Sequence, residues 1–129
     1  MITTKIYLSL ENLDTYKLAV ELCRIGWEIY NVLDWRDKKI LGDQFIESTD
    51  SVGANIAEGY GRFHYLDKVK FYYNARGSLL ESRHWLNLLV ERKLIDASFR
   101  SKYLNVYKDL RMALGGLIKS AMKNKSVIK

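Results

Sequence analysis

Apolar residues recur along this chain at steps of three and four rather than two, the spacing of amphipathic helices. Over residues 13–33, Tyr16, Val20, Cys23, Trp27 and Tyr30 form one such stripe, widened by Ala19, Leu22, Ile29 and Leu33. Asn12 stands where an N-cap belongs. The polar run Asp34-Trp35-Arg36-Asp37 breaks the stripe and reads as a connector. A second helix is expected over 38–60, with Leu41, Phe45, Val52 and Ile56 as its core edge. The small residues between them, Ser48, Thr49, Ser51, Gly53, Ala54 and Ala57, let a neighbouring helix come close. Gly59 and Gly61 then end the helix in the manner of left-handed caps.

The third helix is expected over 65–93 and carries two stripes. One is Phe71, Ala75, Ser78, Ser82, Trp85 and Leu89; the other is Tyr72, Leu79, Leu86 and Val90. Two stripes imply more than one neighbour. Ala75, Gly77, Ser78 and Ser82 form a second small-residue patch, suited to face the first. Asp96 is expected to cap a fourth helix over 97–124. Its seam, Phe99, Tyr103, Val106, Leu110, Ala113, Leu117 and Ala121, alternates steps of four and three, as in near-parallel helix packing.

Four helices joined by short polar connectors predict an all-α fold, an up-down-up-down antiparallel four-helix bundle filling one domain over 1–129. The absence of proline agrees, since β-sandwiches and barrels spend proline on turns and edges. A hydrophobic content of 48% is enough for a globular core. The single cysteine, Cys23, cannot make an internal disulfide and suits a reducing compartment. The first residues lack a secretory apolar region, and no apolar run reaches the roughly 20 residues of a membrane span. A soluble, cytoplasmic protein with no membrane partner is the expectation.

Charge changes this picture. Residues 98–129 hold Arg100, Lys102, Lys108, Arg111, Lys119, Lys123, Lys125 and Lys129 against Asp109 alone, a net +7. The whole chain carries +6, so residues 1–97 carry −1. Such asymmetry points to a polyanion or an acidic partner. A solvated helix face is the competing explanation, and charge alone does not separate them. Lys108, Arg111, Lys119 and Lys123 share one side of the fourth helix, and Arg100 and Lys125 flank them; these six are the candidate nucleic-acid-binding residues.

Enzyme chemistry finds little support. His64, His84 and Cys23 do not make a zinc set, and Glu81-Ser82-Arg83-His84 supplies only one of the two Glu-x-x-His motifs a di-iron bundle needs. Gly59-Tyr60-Gly61-Arg62 lacks the strand before it and the Gly-Lys-Ser/Thr of a phosphate loop. Cys23, within an apolar stripe, reads as a core residue rather than a reactive thiol. No catalytic residue, metal or cofactor is assigned. Asn55, Glu58 and Glu81 are expected to be partly buried, with Ser78 and Arg62 as donors, forming a polar network that sets helix register.

The run Asn55-Ile56-Ala57-Glu58-Gly59-Tyr60-Gly61-Arg62, followed by Phe71, Ala75 and Gly77-Ser78-Leu79-Leu80-Glu81, resembles the bacterial four-helix bundle family whose founding members are encoded in intervening sequences of 23S ribosomal RNA genes, the S23 ribosomal protein family. The resemblance spans residues 12–122. Its motif residues here are Asn55, Glu58, Gly59, Gly61, Arg62, Gly77, Ser78 and Glu81. Where many relatives have an Arg-Arg or Arg-Ser pair in the second helix, this chain has Glu47-Ser48-Thr49-Asp50, so a basic surface there is missing. More distantly the family is similar to the accessory variability proteins of diversity-generating retroelements. That similarity implies a homo-oligomer, a pentamer, with a basic surface, a reverse transcriptase and nucleic acid as partners, and no catalysis of its own. Trp35 and some of Tyr65, Tyr72 and Tyr73 are the expected interface aromatics, the other aromatics filling the core. The leading expectation is a non-enzymatic oligomeric protein that binds RNA or DNA. The alternative is a protein-interaction scaffold with an acidic or aromatic-docking partner.

Overall fold

A computed structural model describes residues 8–124. After a 3₁₀ turn at Leu10–Asn12 come α1 (Asp14–Val32), α2 (Trp35–Asp37), a π-helical segment (Lys38–Gly42), α3 (Asp43–Tyr60), α4 (Tyr65–Glu91) and α5 (Ala97–Lys123). No strand occurs among the described residues. The four long helices form a ring in which α1 packs on α3 and α5, and α4 packs on α3 and α5.

The second long helix begins three residues earlier than its periodicity suggests. Asp34 is a true N-cap, its Oδ1 accepting from the Asp37 amide at 2.8 Å, so the polar run starts a helix instead of connecting two. Backbone angles stay helical from Asp37 through Asp43, and α2 runs through the π segment into α3 without a break. The π segment brings the backbone of Gly42 against the end of α1, where an added Cβ would lie 2.9 Å from Leu33 Cδ1. The Tyr30 hydroxyl donates to Asp43 Oδ1 at 2.7 Å and holds that junction from the other side.

Other ends differ as well. Asn12 lies in the 3₁₀ turn and bonds Ser9, while Leu13 occupies the α1 cap position without a side-chain bond. Asp96 does precede α5, but its backbone carbonyl, not its carboxylate, receives the Phe99 amide. Neither Gly59 nor Gly61 is left-handed; Gly61 has φ −77°. The reason for glycine at 59 is steric. A Cβ there would lie 2.7 Å from Tyr72 Cε1 and 3.0 Å from Phe71 Cβ, so α3 and α4 meet there backbone to ring. Lys68 of α4 closes the end of α3 by donating to the Gly59 and Tyr60 carbonyls at 3.3 and 2.9 Å, a cation placed where the helix dipole favours one. Burial holds its ammonium below the ordinary lysine range.

The core follows the predicted stripes with rotations. Along the π segment and α3, Leu41, Phe45, Val52 and Ile56 are all buried. On α1 the buried line is Ala19, Leu22, Ile25 and Ile29, and Trp27 faces out. On α5 it is Tyr103, Tyr107, Leu110, Leu114, Ile118 and Ala121, with Phe99, Val106 and Leu117 only partly buried. Of the candidate interface aromatics, Tyr72 is buried in the core, while Trp35 and Tyr73 are exposed.

The buried polar network is not the expected one. Thr49 of α3, Ser82 of α4 and Tyr103 of α5 are each 0% exposed and meet at the bundle centre. Tyr103 donates to Ser82 Oγ at 2.8 Å, and Ser82 donates to the Leu79 carbonyl at 2.7 Å. A phenol has one hydrogen, so Thr49, 2.8 Å away, must donate to the Tyr103 oxygen. Three helices are thereby tied in one register. Burial raises the Tyr103 phenol above the ordinary tyrosine range, against the lowering effect of Ser82 and Thr49.

Candidate nucleic-acid interface

The α4/α5 seam leaves a groove of about 430 Å³, lined by Arg83 from α4 and by Leu104, Tyr107, Lys108, Arg111 and Met112 from α5. The cause is local. Tyr103, Tyr107, Leu110 and Leu114 bury one face of α5, which turns Lys108 and Arg111 to its flank beside α4. The Arg83 guanidinium lies 5.4 Å over the Tyr107 ring, a cation–π contact that holds it at the groove without a carboxylate. No acid lines the groove, and Arg83, Lys108 and Arg111 make no ion pair among the described residues. Three uncompensated cations around an apolar floor attract an anion with an apolar part.

Of the sequence candidates, Lys108 and Arg111 come together here. Arg100 sits at the end of the same seam, its Nε donating to Asn87 Oδ1 of α4 at 3.0 Å. Lys119 and Lys123 are exposed farther along α5. Lys125 lies outside the described residues. Sequence reasoning missed Arg83 and its neighbour Arg76, whose guanidinium lies 4.7 Å over the Tyr73 ring. The signal was present: Tyr73, Arg76, Leu80 and Arg83 follow at helical steps on α4.

The motif residues do not converge. Asn55 donates to the Ser51 carbonyl of its own helix at 2.9 Å. Glu58 is exposed and pairs with Arg62 at 3.5 Å, and Arg62 lies over the Phe71 ring. Glu81 is exposed and accepts from Trp85 Nε1 at 3.0 Å. The expected inter-helix network of Asn55, Glu58, Ser78, Glu81 and Arg62 is therefore replaced by local contacts within α3 and α4 and by Arg62 of the connector, which reaches Glu58 and the Phe71 ring. Gly61 is exposed, Ser78 is half-buried, and Gly77 faces open space, so Gly77 does not belong to a small-residue contact. Among the described residues no three His, Cys, Asp or Glu side chains gather as a metal site. Cys23 is half-buried, its Sγ 3.9 Å from the Thr49 carbonyl. Burial, and then the Asp50 carboxylate, push its thiol up to about 12. No helix is long and apolar enough to cross a membrane among the described residues.

Four packed helices with a basic seam define an all-helical protein of the four-helix class. Residues 11–116 match the sequence profile of the 23S rRNA-intervening sequence protein, and the chain belongs to that family. The fold is similar to the crystal structure of a protein of unknown function from the S23 ribosomal protein family of Bacteroides thetaiotaomicron VPI-5482, with TM-score 0.75 and 22% identity over 81% of this chain and 98% of that one. No curated protein sequence matches the chain.

Proposed function

We propose that this chain is a non-catalytic, oligomeric nucleic-acid-binding accessory protein. The observation that carries the reading is the α4/α5 seam, where Arg83, Lys108 and Arg111 stand together with no carboxylate partner among the described residues. Lys119 and Arg100 extend that positive surface along α5. We read the helices as an up-down-up-down antiparallel bundle. Thr15 near the start of α1 bonds Ala113 far along α5, and Lys102 near the start of α5 pairs with Glu28 near the end of α1 at 2.8 Å. In an oligomer each such face repeats, multiplying weak phosphate contacts. The similarity to retroelement accessory proteins makes a pentamer the assembly we propose and a reverse transcriptase the protein partner.

The test is a titration with labelled RNA, single-stranded DNA and duplex DNA over a salt series, with the mass in solution measured alongside. Binding by an oligomer that weakens steeply as salt rises is expected, because phosphate contacts release counterions. Replacing Lys119 and Arg111 by glutamate should abolish it. Absence of binding at low salt overturns the reading. A second reading, a protein-docking scaffold, is favoured by Trp35 at 75% and Trp27 at 55% exposure. It predicts partner binding that persists at high salt and fails on truncating those tryptophans.

A further inference from the structure

We infer that the α4/α5 groove takes single-stranded nucleic acid in preference to duplex, seating an unpaired base on the Arg83 guanidinium. This rests on the nucleic-acid reading above and specifies its substrate. The Arg83 guanidinium is held over the Tyr107 ring, its Cζ 5.4 Å from the ring centre. The side chain remains half-exposed at the groove, within reach of a flat partner. Guanidinium planes stack on bases as aromatic rings do, and here the cation–π contact already holds the guanidinium at the groove before any ligand arrives. Met112, 69% exposed in the groove lining, supplies a soft apolar wall. Lys108 and Arg111 lie beside it for the adjoining phosphates.

A second shelf stands two turns back on α4, where the Arg76 guanidinium lies 4.7 Å over Tyr73. Exposed Leu80 sits between the two shelves. Seven residues of helix separate them by about 10 Å, roughly three base steps of a stacked strand. A strand touching both shelves must present bases outward, which a single strand does freely and a duplex does only by unpairing. The sites are sequence-tolerant by the same logic, since every base has a face to stack.

The measurement is the affinity of the full chain for a short labelled oligouridylate and for a duplex of matched length, across salt, with three variants. Arg83→Lys keeps the charge and removes the plane. It should lower single-strand affinity about tenfold, leave duplex affinity alone and leave the salt slope unchanged. Met112→Ser, on an exposed side chain that folding does not need, should lower single-strand affinity several-fold in the same selective way. Lys119→Gln removes charge outside the groove and should weaken both ligands, with a shallower salt slope. If both ligands bind wild-type protein but Arg83→Lys and Met112→Ser change neither selectively, the groove assignment is wrong and the nucleic-acid reading survives. If neither ligand binds at low salt, the nucleic-acid reading fails and takes the groove with it. Should Arg83→Lys unfold the protein, Met112→Ser decides.

Discussion

Replacing Tyr103 with phenylalanine removes one oxygen from the centre of the bundle, and the hydrogen-bond order there sets the consequence. Thr49 donates to that oxygen and Ser82 accepts from it, each at 2.8 Å, and all three residues are sealed from water. In the variant, Ser82 still donates to the Leu79 carbonyl at 2.7 Å, but Thr49 loses its acceptor. An orphaned buried hydroxyl costs about 1–3 kcal/mol, so we expect a loss near 2 kcal/mol. With an unfolding entropy of about 2.1 cal/mol/K per residue over 129 residues, that lowers Tm by about 7 °C. The companion variant Thr49→Val/Ser82→Ala/Tyr103→Phe removes every member of the network while nearly keeping its shape. It should lie within about 1 kcal/mol of wild type, because no buried group is left without a partner. Urea unfolding of the single and triple variants, followed by circular dichroism, measures both. The reasoning is refuted if Tyr103→Phe is neutral, or if the triple variant loses at least as much as the single one.

Two paired glycine substitutions should act in opposite directions. Gly59→Ala places a methyl 2.7 Å from the buried Tyr72 ring, and overpacking of about 1–3 kcal/mol outweighs a helix gain near 1 kcal/mol, lowering the urea midpoint. Gly77→Ala meets open space in mid-helix and should raise stability by about 0.5–1 kcal/mol, moving the urea midpoint upward. The Cys23 thiol, pushed from 9.0 up to about 12 by burial and then by Asp50, should alkylate roughly fiftyfold more slowly at pH 8 in the folded protein than in urea, the higher nucleophilicity of a high-pKa thiolate offsetting part of its scarcity, read by mass spectrometry. The same shift makes stability fall as pH rises from about 9 toward 12, because the unfolded thiol ionises first; Tyr72, raised from 10.0 to about 12, acts in the same direction. A urea midpoint unchanged across that range would contradict both assignments.

Periodicity located four helices and the buried edge of α3, because an apolar stripe at a 3.6-residue period has one way to leave water. It also placed Lys108, Arg111 and Lys119 outside the core of α5, since charged side chains in mid-helix have nowhere else to go. The motif from Asn55 to Glu81 pointed to the family without revealing what its residues do, for glycine and carboxylate letters look alike whether they cap, pack or pair.

Rotation within each stripe depended on the tertiary structure. On α5, Val106 and Leu117 are as apolar as Tyr107 and Ile118, and only the positions of α1 and α4 decide which pair is sealed. The need for glycine at 59 exists only because the Tyr72 ring of another helix lies against it. The register lock joins Thr49, Ser82 and Tyr103, and nothing in three separated stretches of chain says that their hydroxyls will meet. The groove follows the same rule: α5 contributes two cations that its own sequence displays, and Arg83 arrives from α4 by helix packing. A one-dimensional pattern determines which face of a helix avoids water; which side chains meet across the faces is set by the rotation, spacing and register of neighbouring helices, and those exist only once the helices have packed.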